Sequence, residues 1–173
     1  YLQTMRRHPL GEEERVEFTD FMLEDVERLD ALITHLLEAA RLEQKPVEDE
    51  SVDINLPQLL QGCAEAACKR YRLPSETIQL NLQPAVVRAV HVDLEIIFRN
   101  LVDNAIKYSG DDPQVEIECT TDDGMAVIRI ADNGPGIPMS FRRKIFWRFY
   151  RIGSELERSQ KGTGLGLYIV QTL

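Results

Sequence analysis

Between Met22 and Ala40 the apolar residues Met22, Val26, Leu29, Ile33, Leu36 and Ala40 follow one another in steps of 4, 3, 4, 3 and 4. That spacing is the a/d seam of a coiled coil or four-helix bundle. Phe18, Leu32 and Leu37 widen it, so the helix is expected to bury more than one neighbour. It opens at Glu12-Glu13-Glu14, where the helix dipole favours negative charge, and Lys45-Pro46 ends it. The stub Tyr1 to Arg7, stopped by Pro9 and Gly11, is too short to cover such a stripe. Residues further upstream and a second chain are expected to supply the rest, which makes residues 1–46 a dimerising helical region.

The period changes after a linker, the acidic and unpatterned Val47 to Asp53. Leu56, Leu59, Leu60, Cys63 and Ala67 predict a helix; Ile78, Leu80 and Leu82 predict a strand, and Val86 to Val92 another. Asp93 is placed to cap a helix with the apolar face Leu94, Ile97, Phe98, Leu101, Val102, Ala105 and Ile106. Two alternating strands follow, Val115-Ile117-Cys119 and Ala126-Ile128-Ile130, joined by Asp123-Gly124 in a type I′ turn. The last helix starts in the glycine-rich stretch Gly162 to Gly166.

Charge narrows the function. The chain of 173 residues has a net charge of −9, which argues against a nucleic-acid or anionic-membrane binder. With 43% apolar residues, no apolar run near the ~20 needed to span a bilayer and no signal-peptide layout, a soluble intracellular protein is expected. Cys63, Cys68 and Cys119 do not have the spacing of a disulfide framework or zinc site and are expected to be small buried side chains. His8, His35 and His91 are read as structural or surface residues.

Four pieces carry chemistry. Asn100, Asn104 and Lys107 fall on one side of the helix after Asp93, away from its apolar stripe. Two amides and an ammonium in line suit a hard cation with an anion beside it, although a solvated polar face has the same pattern. Asp132-Asn133-Gly134-Pro135-Gly136-Ile137-Pro138 leaves a strand end. Its carboxylate only accepts hydrogen bonds, so it would select adenine's amine over guanine's carbonyl; a plain tight turn is the alternative. Gly162-Thr163-Gly164-Leu165-Gly166-Leu167 lets phosphates reach backbone amides. It lacks the Lys-Ser or Lys-Thr end of a Walker A loop and the following unit of a dinucleotide fingerprint. Between the clusters, Met139 to Lys161 carries seven cations (Arg142, Arg143, Lys144, Arg148, Arg151, Arg158 and Lys161) against Glu155 and Glu157, a net +5 that suits a polyphosphate. Phe146, Trp147, Phe149 and Tyr150 are positioned to anchor this loop.

In this order the four pieces resemble the catalytic core of the sensor histidine kinases of two-component signalling, within the wider family sharing the Bergerat ATP-binding fold. Asn100-Leu101-Val102-Asp103-Asn104-Ala105 is similar to the N box, Asp132 to Gly136 to the G1 box, Phe146 to Arg151 to the F box and Gly162 to Leu167 to the G2 box. Met22 to Glu43 resembles the second helix of the dimerisation and phosphotransfer domain. The resemblance implies an α+β architecture: a helical-hairpin remnant, a four-helix bundle as the homodimer, joined to a two-layer α/β sandwich of Bergerat type over residues 47–173. It implies ATP and Mg²⁺ as ligands, Asn104 as the metal ligand, and Asn100, Asn104 and Lys107 as the catalytic set. The nucleotide would further meet Tyr108, Asp132, Gly134, Gly136, Ile137, Arg151, Lys161, Gly162, Thr163, Gly164, Leu165, Gly166 and Leu167. A response regulator receiver domain is the implied partner, and a membrane-anchored sensor with this part in the cytoplasm the implied whole.

Three departures are visible. No His-Glu-x-x-Thr-Pro-like phosphoacceptor motif is present, so the acceptor is expected before Tyr1 and self-phosphorylation of this chain is not expected. Trp147 stands where the family commonly has an acid, and the family's final strands would follow Leu173. The competing function is ATP hydrolysis by a gyrase-, Hsp90- or mismatch-repair-type protein. Those families place a glutamate where this chain has Asn100, and an amide cannot take a proton from water. A nucleotide-binding module without phosphoryl transfer is the third reading.

Overall fold

The computed structural model describes residues 51–152 and 162–173, with residues 11, 16, 19 and 22 besides. Val16, Thr19 and Met22 are helical. The rest of the heptad seam, the stub before Pro9 and the cations Arg158 and Lys161 lie outside the described residues.

The chain segment read as the end of a linker is a strand. β1 (Ser51–Asn55) pairs antiparallel with β3 (Val86–Val90), with Ile54 opposite Val87. Of its two apolar residues Ile54 is buried and Val52 is exposed, so its partner, rather than any periodicity of its own, makes it a strand. α1 (Leu56–Tyr71) follows at once; the Asn55 side chain accepts from the Gln58 amide at 3.1 Å, capping its first turn.

β2 (Ile78–Leu82), β4 (Val115–Asp122) and β5 (Met125–Asp132) form a mixed sheet in the order β2-β4-β5, β2 parallel and β5 antiparallel to β4. Asp123 and Gly124 both have positive φ, 45° and 76°, as a type I′ hairpin requires. Alternation sends Val115, Ile117 and Cys119 inward, where α1 and α2 (His91–Tyr108) cover them with Leu56, Leu60, Phe98, Val102 and Ile106. The three-stranded sheet under helices is the two-layer arrangement expected, with β1 and β3 as a separate two-stranded sheet rather than part of one.

α2 begins two residues before its expected cap. Val90 is the N-cap without a side-chain bond, and Asp93 lies in the first turn, where its charge still favours the helix dipole. A smaller core joins Ile96 of α2 to Leu165 and to Ile169 of α3 (Gly166–Thr172), with Tyr168 packed beside them. Helix α2 is therefore covered on two sides, by the main core and by α3. Cys68 and Cys119 are buried and Cys63 half-buried, all as free thiols. Among the described residues no helix is long and apolar enough to cross a membrane.

Candidate functional site

Asn100 departs from its place on the open polar face: it is 6% exposed. It stands one turn after Ile96 on the row that α3 covers, so packing on α3 overrides the helical-wheel assignment. Its amide donates to the Ile96 carbonyl at 2.9 Å, and a Cβ at Gly166 would stand 2.6 Å from its Oδ1. Gly166 thus lets α3 close directly onto the amide. Asn104 and Lys107 are half-buried on the same side of α2, and Tyr108 at its end is 49% exposed.

Leaving β5, the Asp132 carboxylate accepts from the Gly134 amide at 2.9 Å. Asn133 accepts from the Gln114 amide and donates to the Asp112 carbonyl, both at 3.0 Å, while its backbone amide donates to the Gln114 carbonyl at 3.2 Å. A Cβ at Gly134 would collide with the Tyr108 carbonyl oxygen and stand 2.7 Å from Asp132 Oδ1. The turn is therefore pressed onto the last turn of α2. Gly136 takes φ 70°, and Asp132 and Ile137 remain exposed.

At the other glycine cluster, Gly164 has φ 74° and a Cβ there would lie 2.7 Å from the Phe149 carbonyl carbon. The Phe149 amide donates to the Gly164 carbonyl at 2.9 Å, which crosses the aromatic segment over the glycine turn. Trp147 and Phe149 do not anchor this segment, being 58% and 63% exposed. Phe146 and Tyr150 are half-buried, and Arg148 lies 4.5 Å from the Tyr168 ring centroid while donating to its hydroxyl. Tyr168 escapes sequence reasoning because a tyrosine on a short amphipathic helix carries no signal of what will stack on it. Arg151, Gly162, Thr163 and Leu167 are half-buried and Leu165 is buried; the Thr163 hydroxyl accepts from the Leu165 amide at 3.3 Å.

Both glycine turns abut one helix, at Asn100 and at Tyr108. Eight residues of α-helix separate these points by about 12 Å, with Asn104 and Lys107 between them. Among the described residues no three His, Cys, Asp or Glu side chains cluster. A separate groove of about 580 Å³ opens between α1 and the start of α2, lined by Asp53, Cys63, Arg70, His91, Glu95 and Arg99 among others. It contains none of the residues expected to meet a nucleotide or metal, and its mixed charges select no ligand.

The profile of the family described as histidine kinase-, DNA gyrase B-, and HSP90-like ATPase matches residues 89–173. Sensor protein kinase PmrB of Pseudomonas aeruginosa is 33% identical over 150 residues, 86% of this chain and 31% of that protein. The chain therefore spans about a third of the length of this relative. The mycobacterial sensor histidine kinase MprB is similar in structure, with a TM-score of 0.59 at 29% identity over 70% of this chain and 76% of that one. Full-length ShkA in complex with AMPPNP gives a TM-score of 0.68 at 26% identity, covering 95% of this chain and 34% of that one.

Proposed function

We propose that this chain, whose residues 89–173 match the histidine kinase-, DNA gyrase B- and HSP90-like ATPases and which is homologous to sensor histidine kinases, passes the γ-phosphoryl group of ATP to a histidine for relay to a response-regulator aspartate. The observation carrying this is the pair of glycine turns set against α2 at Asn100 and Tyr108, which frame Asn104 and Lys107. In this reading the Asp132 carboxylate accepts from the adenine amine, and Tyr108 and Ile137 border the base. Lys107 and Arg151 face phosphate oxygens, with Lys161 as a further cation. Gly162 to Leu167 bring backbone close to the same phosphates.

Phosphoryl transfer of this kind is mainly positioning and charge neutralisation. Asn104 fits a magnesium ion: it is half-buried between the two turns and offers a hard oxygen, and Mg²⁺ is commonly held by one or two protein oxygens plus substrate phosphates. Bound with the nucleotide, Mg²⁺ would neutralise charge on the β- and γ-phosphates. Asn100 acts through placement, since its amide is engaged with Ile96 and its oxygen faces Gly166. An amide so held is no general base, which separates this site from a water-activating one. Residues 1–46 would form the dimerising helical region and residues 47–173 the catalytic domain, as part of a longer sensor whose acceptor histidine lies elsewhere in that protein.

Calorimetric titration with ATP and Mg²⁺ tests the binding step. Asp132→Asn should weaken binding at least tenfold and reduce the preference for ATP over GTP; unchanged binding removes the adenine assignment. Incubation with γ-labelled ATP and a helical hairpin bearing the phosphoacceptor histidine of a relative should give acid-labile label on that hairpin. Steady phosphate release without such label would instead support hydrolysis.

A further inference from the structure

On α2, Asp103 precedes Lys107 by four residues, the spacing at which two opposite charges on one helix meet. Left to pair, they would fold the ammonium back along its own helix. In the structure Asp103 is taken from the other side. Arg70, near the end of α1, places Nη1 2.7 Å from both carboxylate oxygens, and the Asp103 side chain is 19% exposed. Burial, with the nearby Asp103 carboxylate adding, pushes the Tyr71 hydroxyl up, so Tyr71 borders the same carboxylate. Among the described residues, Lys107 makes no ion pair.

We propose that Arg70 is a positioning residue for nucleotide binding: by occupying Asp103 from α1, it keeps the Lys107 ammonium available to a phosphate. The inference rests on Lys107 meeting phosphate, as proposed above. Two charges set the outcome. A released Asp103 carboxylate would compete for Lys107 and would also bring an uncompensated negative charge toward an anionic ligand. Nothing in the sequence marks Arg70, because it stands 33 residues before Asp103 on a different helix.

The test is titration of the chain with ATP and Mg²⁺, with thermal melts to confirm folding. Lys107→Met should weaken binding. Arg70→Met should weaken it about two- to fivefold, the size expected when a cation is diverted into a part-exposed ion pair. Arg70→Met combined with Asp103→Asn should return affinity to the wild-type value, although the contact between α1 and α2 is still missing. Asp103→Asn alone should bind at least as well as wild type. Equal binding by Arg70→Met, or a double variant as weak as the single, overturns the inference and leaves Arg70 a clamp between helices. A wild-type chain that takes up no nucleotide overturns the wider reading and this one with it.

Discussion

Gly166 has no side chain because Asn100 occupies the place where one would be. Gly166→Ala should lower stability by about 1–3 kcal/mol, the usual cost of overpacking, and weaken ATP binding in parallel. Gly62 in α1 is the control: a Cβ there meets nothing within 4 Å. Gly62→Ala should raise stability by about 0.5–1 kcal/mol through helix propensity alone. Thermal melts of the two variants check both signs. Burial, with Glu95 adding, pushes the Cys63 thiol up to about 11, and burial also raises Cys68 and Cys119. A thiol that must stay protonated in the fold contributes stability fully present below the unfolded value near 9 and lost as pH rises through about 11. The melting temperature should therefore fall between those pH values, and less steeply in Cys63→Ala. The expectation of small buried thiols holds for Cys68 and Cys119, whereas Cys63 is half-buried. The burial of Asn100 was not legible, because one turn of a helical wheel shows what lies on a face and not what covers it.

Elements were legible in proportion to how much of their own pattern they bury. α2, β4 and β5 each show several inward residues, and their extents follow from the sequence within a few positions. β4 is the central strand with fully buried Ile117, and Ile117→Ala should cost about 3 kcal/mol in a denaturant titration. A loss well under 1 kcal/mol would place the core elsewhere. β1 was illegible because a strand of five residues with one buried side chain has no periodicity to detect. The start of α2 was misplaced because Asp93 looks like a cap, whereas the chain enters the helix directly from β3. The aromatic segment before Gly162 was legible as a loop that needs anchoring, but not which groups anchor it. That choice falls to Arg148 and Tyr168, two residues twenty apart with no local pattern joining them.

At the scale of the molecule, the order of the four motifs was enough to expect two glycine turns meeting one amide-bearing helix, and they do meet it. If residues 1–46 dimerise as proposed, residues 1–173 should sediment as a dimer and residues 47–173 as a monomer; equal, concentration-independent monomer masses would end that proposal. The bond between the helices at Arg70 and Asp103 was beyond sequence reasoning, since only the fold decides which face of α1 meets α2. Asn133 supplies one last consequence. Its side chain and backbone fasten the Asp132 turn to residues 112–114 through three hydrogen bonds. In the proposed nucleotide site, the turn that carries Asp132 would thus be fixed before any guest arrives, which lowers the ordering cost on that side. Heats of binding for a series of purine analogues would then register gains and losses at the base itself, undiluted by rearrangement of the wall that holds it.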